Sequence, residues 1–285
     1  MRRVLQDARR WAQRGAIAMA ALVLSGVLWA SGGAALAGEA PMVAHRAIYG
    51  MTLAKSKPGG GGIADAKGKL EFEWSDVCDG WAVRQRARIF VTHGDGSTID
   101  FGWTLNTWEA KDGLSYRFFI RRLHAAGDEE TLRGEAQLDA PGGAGHATYS
   151  EPEEKRIDLP KGTIFPTQHS FQIIEAAAAD KLPLWRTVFD GSGDDGGLFG
   201  VNVVRSAVVP PDMLPSLDVP LLTEATSWRA IIAYFGMAES DTEPEYEELA
   251  RVYDNGVVDE LLLDYGDFSL DAVLVDLEAL PDPAC

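Results

Sequence analysis

Trp81-Ala82-Val83-Arg84-Gln85-Arg86-Ala87-Arg88-Ile89 alternates in character from one residue to the next. Trp81, Val83, Ala87 and Ile89 fall on one side of an extended chain, and Arg84, Arg86 and Arg88 on the other. Successive side chains of a strand point to opposite faces, so this pattern predicts a strand with one dry and one wet face. Ile99, Phe101, Trp103 and Leu105 repeat it against Asp100, Gly102, Thr104 and Asn106. His45 to Ala54, Lys67 to Ser75, Leu114 to Leu123 and Glu130 to Leu138 read as further strands.

Turn chemistry separates these runs at Gly94-Asp95-Gly96, Lys111-Asp112-Gly113 and Pro141-Gly142-Gly143. The glycine tract from Pro58 to Gly62 reads as a hairpin tip, because it lacks the Gly-Lys-Ser/Thr ending of a phosphate loop. One helix is predicted, over Gln168 to Asp180. Thr167 would cap it, and Phe171, Ile174 and Ala178 would share its apolar face. Strands then resume at Trp185 to Phe189, Val201 to Val209 and Ser227 to Phe235. Asn255-Gly256 predicts a type I′ turn joining Tyr246 to Asp254 with Val257 to Asp264, and Asp271 to Leu277 follows. Many antiparallel strands, no βαβ rhythm and no repeat at a fixed period predict one mainly β domain.

The first residues read as an export signal. Arg2, Arg3, Arg9, Arg10 and Arg14 precede an apolar run from Ala16 to Ala30, and Ala35-Leu36-Ala37 supplies an A-x-A cleavage site. The apolar run is shorter than the ~20 residues a spanning helix needs. Residues 1–37 are therefore expected to be removed, leaving 38–285 as a single periplasmic domain without a transmembrane segment. Acidic residues outnumber basic ones 43 to 26, for a formal net charge of −17. Such a surface repels nucleic acid and anionic headgroups.

The chain holds two cysteines, Cys78 and Cys285. In an oxidising compartment they are expected to pair. A redox pair or a metal site is the alternative, but there is no Cys-x-x-Cys and there are too few clustered soft ligands. No cofactor signature is present.

Three constellations bear on chemistry. In Asp190-Gly191-Ser192-Gly193-Asp194-Asp195-Gly196, three oxygen side chains fall at calcium-loop spacing. Asp195 replaces the required glycine and Val201 the required glutamate, so a Gly/Asp turn is the better reading. His45, His93, His124, His146 and His169 form no HExxH, and no Gly-x-Ser-x-Gly occurs. Arg84, Arg86 and Arg88, with Arg117, Arg121 and Arg122 nearby, form a basic row in an acidic chain. With Asp190, Asp194 and Asp195 they are the candidate ligand or partner contacts, although cross-strand pairing with the protein's own acids is the plainer reading of the arginines. Trp103, Trp108 and Trp185 are read as core.

Asp76-Val77-Cys78-Asp79-Gly80-Trp81, His45-Arg46-Ala47-Ile48-Tyr49, Phe165-Pro166-Thr167 and Phe189-Asp190-Gly191-Ser192 together resemble the EipB-like family of bacterial periplasmic cell-envelope integrity proteins. The resemblance runs from about His45 to Cys285 and implies a many-stranded antiparallel sheet wound as an oblong, partly open β-spiral or barrel, with one principal helix packed against it. It also implies a Cys78–Cys285 disulfide, a role in envelope integrity under stress, no established enzymatic activity and a periplasmic tetratricopeptide-repeat partner. Asp190 and Gly191 match a family motif of unexplained role. The expected function is therefore binding of a protein or envelope ligand. The alternatives are a carrier of lipid, peptide or glycan in a groove of the spiral, and an envelope hydrolase using the acids of Asp190 to Asp195.

Overall fold

The computed structural model describes residues 42–56, 62–124, 127–192, 196–208, 215–237, 242–265, 268–281 and 283–285. The expected signal segment, most of the Pro58 to Gly62 tract, and Asp194 and Asp195 lie outside the described residues.

The alternating runs fold as β1 (His45–Ser56), β2 (Ile63–Asp76), β3 (Gly80–His93), β4 (Thr98–Ala110), β5 (Ser115–Leu123) and β6 (Glu129–Leu138). Three short strands follow: β7 (Gly145–Glu151), β8 (Lys155–Leu159) and the two-residue β9 (Thr163–Ile164). After helix α1 (Pro166–Ala178) come β10 (Leu184–Phe189) and β11 (Leu198–Val208). A single-turn helix α2 (Pro220–Thr223) then leads to β12 (Ser227–Phe235), β13 (Tyr246–Tyr253), β14 (Val258–Asp264) and β15 (Phe268–Ala279).

All fifteen strands belong to one sheet, in the order β8-β7-β6-β5-β4-β3-β2-β1-β15-β14-β13-β12-β11-β10-β9. Two meanders of neighbouring hairpins are thus joined where β1 pairs antiparallel with β15, from His45 opposite Ala279 to Ser56 opposite Phe268. The sheet's two ends, β8 and β9, are consecutive in sequence, and among the described residues only β9 with β10 pairs in parallel. The sheet curls until those ends share a core. Tyr116, Leu138, Ala147 and Leu159 of one meander pack with Phe165 and Phe189 beside the far edge. The result is a nearly closed, barrel-like β fold.

Helix α1 lies against the inner face. Phe171 meets Trp74 and Trp81 edge-on, at 6.2 and 5.6 Å between ring centroids. Ile173 packs instead with Val188, Val201, Val203 and Ile232. A helix that buries two sides needs more than one apolar stripe, and this corrects the predicted face: Ala178 is exposed, while Ile173 and Ala177 are buried. Its start is corrected too. Phe165 occupies the N-cap position, Pro166 begins the helix with its fixed φ, and Thr167 already lies inside.

Two further expectations are revised. At Asn255-Gly256 only Gly256 has positive φ, and its N–H closes a turn onto the Tyr253 carbonyl at 2.9 Å, so the turn is not type I′. The Asn255 side chain is occupied in bonding the Leu221 carbonyl and accepting from the Val257 N–H. Trp185 is not core: it is 54% exposed and leans on Phe235 across Gly200, which has no side chain to block it.

Cys78, held in a left-handed turn between β2 and β3, is bonded to Cys285 with 5.8 Å between their Cα atoms. The tail reaches it by passing β1, where the Leu280 N–H donates to the Ala44 carbonyl at 2.8 Å. The Asp76 carboxylate steadies the turn, accepting from the Cys78 N–H at 2.8 Å and from Lys111 Nζ at 2.9 Å.

Candidate functional site

The pairing register assigns each strand's residues to a face. On the outer face of β3 to β7, cross-strand neighbours carry Arg84, Asn106, Trp108, Arg117, Phe119 and Arg133. They line a groove of about 570 Å³. Two guanidinium groups lie over aromatic rings, Arg117 at 4.6 Å from the centre of Trp108 and Arg133 at 4.8 Å from that of Phe119. Such stacking holds a cation over the negative face of the ring while leaving its N–H edge free. Glu135, Thr148 and Ser150 complete the wall. A second cavity of about 440 Å³ adjoins through Arg84 and Asn106 and continues past Arg86.

The arginine row of β3 lies on this face, partly neutralised from within. Arg84 pairs with Glu73 at 3.1 Å and Arg88 with Asp100 at 2.6 Å, and Arg86 stands opposite Glu71 in the register. Exposed pairs of this kind contribute little to stability, typically about 0–1 kcal/mol each. Arg117 and Arg121 share the outer face. Arg122 is on the opposite side, where it pairs with Glu130 at 3.3 Å, so of the three arginines near the row only Arg117 and Arg121 share its face.

The Asp190 segment is built as a turn. Asp190 Oδ1 accepts from the Ser192 N–H at 2.7 Å, and Oδ2 from the Ser192 hydroxyl at 2.8 Å. The Tyr116 hydroxyl donates to the Asp190 carbonyl at 3.2 Å, and the Tyr149 hydroxyl lies 3.0 Å from the Gly196 carbonyl. Burial pushes the Asp190 carboxyl up to about 6, against the pull of Ser192 and the Arg122 guanidinium. Gly191 has φ +74° and presses on the Phe118 ring. The aromatic cluster therefore clamps this turn across the seam where the two meanders meet.

Glu109, which spacing alone gave no reason to select, is 1% exposed and sits at the N-terminus of α1. Its Oε2 accepts from the Thr167 N–H at 2.7 Å and its Oε1 from the Gln168 N–H at 3.0 Å. A side chain from β4 thus does the capping that Phe165 cannot. Burial raises its carboxyl to about 7, and the two backbone N–H bonds oppose that rise. Burial likewise raises Glu248 to about 7.

These shifts have a definite sign. Between the unfolded value, near 4.5, and about 7, the folded state holds protons that the unfolded chain has released. Stability from these acids is complete below pH 4.5 and is lost as pH rises through 7. Buried His169, lowered to about 4 by burial and then by Arg186, works in the opposite sense: its contribution is present above pH 6.5 and lost as pH falls toward 4. Glu109→Gln, which cannot ionise, is expected to flatten the decline in stability between pH 5 and 8 by on the order of 3 kcal/mol. Thermal melts of both proteins across that range check it, and parallel pH profiles would refute it.

Of the candidate residues, the structure joins Cys78 to Cys285 and places Arg84, Arg86 and Arg88 along the outer face. It sets Asp190 at the seam, where Tyr116 of β5 donates to its carbonyl. Trp108, expected in the core but lining the outer groove instead, joins Phe119, Arg133 and Glu109 as residues added to the candidates. The first three have the same period-two parity as their neighbours on the outer face, a signal present in the sequence but uninterpretable until the strands are ordered. Among the described residues no group of three or more His, Cys, Asp or Glu side chains could hold a metal ion. No described helix is long and apolar enough to cross a membrane.

The EipB-like family model matches residues 36–281. The cell envelope integrity protein EipB of Brucella abortus (strain 2308) is 32% identical over 271 residues, covering 92% of this chain and 94% of the relative. The crystal structure of a beta-barrel-like protein of a domain of unknown function, also from Brucella abortus, superposes with a TM-score of 0.73 at 28% identity. That match covers 84% of this chain and 99% of the other.

Proposed function

Because the chain belongs to the EipB-like family, we propose that it is exported to the periplasm and supports the cell envelope under stress by binding rather than by catalysis. The observation that carries this reading is the outer groove, where arginine–aromatic stacks on adjacent strands form a preorganised surface. Preorganisation matters because ordering long side chains at the moment of contact costs about 0.5–1.5 kcal/mol each. The family model's match begins at residue 36, beside the cleavage site expected after Ala37. Association with a periplasmic tetratricopeptide-repeat protein belongs to the same proposal.

The test is complementation. Cells lacking this protein should regain resistance to an envelope-disrupting detergent when the intact chain is returned. Trp108→Ala combined with Phe119→Ala should fail to restore it while accumulating as folded, oxidised protein. Aromatic anchors of this kind commonly contribute 2 kcal/mol or more to binding, roughly a thirtyfold change in affinity. Full rescue by the double variant would remove the groove from the function, and co-purification with the same variant shows whether a repeat-protein partner uses that face.

A further inference from the structure

We propose that the outer groove binds a carboxylate-bearing glycan, an inference that rests on the groove being the functional surface. Charge is the first argument. The chain as a whole carries 43 acidic and 26 basic residues, yet the groove wall holds Arg84, Arg117 and Arg133 against Glu135 alone. An acidic protein that gathers cations in one groove presents them to an anion.

The state of each cation is the second argument. Arg84 is engaged by Glu73 at 3.1 Å and Arg133 by Glu151 at 2.8 Å. Arg117 is exposed and pairs with no carboxylate among the described residues; the indole of Trp108 is what holds it. The cation–ring contact uses no N–H donor as a hydrogen bond to a carboxylate, so the planar fork stays available for a two-point bond to one. Glu135 stands opposite Arg117 in the β5–β6 register without forming an ion pair with it, and one guanidinium outside any ion pair matches the single charge of a carboxylate better than a phosphate monoester, which carries about −1.5 to −2.

The rest of the wall favours a glycan over an acidic peptide. A peptide that adds to a sheet does so through backbone bonds at a free edge. This groove lies on a sheet face, where β3 to β7 already pair with one another. Recognition there must come from side chains. Asn106, Thr148 and Ser150 offer donors and acceptors suited to ring hydroxyls, beside the Arg117–Trp108 and Arg133–Phe119 contacts. The volume of about 570 Å³ lies within the ordinary range for small-ligand sites, ~300–1,000 Å³.

Isothermal titration of the intact, oxidised protein with tri-galacturonate tests the assignment, with maltotriose and tetra-glutamate as comparators. Tri-galacturonate should bind at least about tenfold more tightly than either, and more weakly as salt is raised. Arg117→Gln should lower its affinity by roughly tenfold to a hundredfold, because the charge-assisted bond is lost. Arg156→Gln, an exposed arginine of β8 outside the groove, should leave it unchanged. Equal binding of maltotriose, tighter binding of tetra-glutamate, or affinity indifferent to Arg117→Gln would each overturn the proposal. So would absence of binding at millimolar tri-galacturonate. If groove variants then still failed in complementation, the groove reading would stand and only its ligand would change.

Discussion

Cys78→Ser is expected to lower the melting temperature of the oxidised protein by roughly 10–15 °C, corresponding to a loss approaching 5 kcal/mol. The bond closes a loop with a sequence separation of 207, so its absence frees the unfolded chain more than the cut of a short loop would. Cys285→Ser and the double variant should match the single variant, since each removes the same cross-link. Reduction of the wild-type protein should reproduce the effect. A mutant that melts with the wild type under non-reducing conditions would show that the β1–β15 pairing alone fixes the tail.

Gly197→Ala is expected to cost about 3–5 kcal/mol, from a left-handed backbone that disfavours alanine plus a close contact that cannot relax. At Gly197 φ is +65°, and an added Cβ would lie 2.5 Å from the backbone of Gly191. Gly142 provides the control: its φ is +67°, but nothing lies within 4 Å of the added atom. Gly142→Ala should therefore cost only the conformational part, about 1–2 kcal/mol. Denaturant titration of both variants separates the two terms, and equal losses would mean that the seam tolerates the extra carbon. The Asp190 loop is thus held by shape as much as by hydrogen bonds, since Phe118 leaves no room beside Gly191 and the Gly191 backbone leaves none beside Gly197.

Alternation made most strands legible because they are long and have a dry inner face. Ser227 to Phe235 emerges with the predicted bounds, and the other long strands shift by a few residues at their ends. The strands that escaped, β7, β8 and β9, are short and lie at the sheet's ends, where Lys155-Arg156-Ile157-Asp158-Leu159 carries charge as edge strands do. The groove was illegible for a different reason. Trp108 and Arg117 are nine positions apart and meet only because β4 and β5 pair in one register, with Trp108 opposite Arg117. Glu109 was hidden the same way: its partners, the N–H groups of Thr167 and Gln168, come from an element far along the chain. Exposed Trp185 marks a limit of reasoning from residue type, since an aromatic ring needs a flat neighbour and Gly200 supplies it on the outside.

The joint between β1 and β15 has a consequence for how the chain attains this fold. Each meander is made of hairpins whose partners are close in sequence, so both can form early and locally. β1 must leave its outer edge unsatisfied until β15, the last strand in chain order, arrives. A chain that emerges in sequence order therefore spends its synthesis with a long open edge, a state prone to mispairing. The β1 edge is covered only once that last strand pairs with it, and holding factors that cover open edges should matter most in that interval.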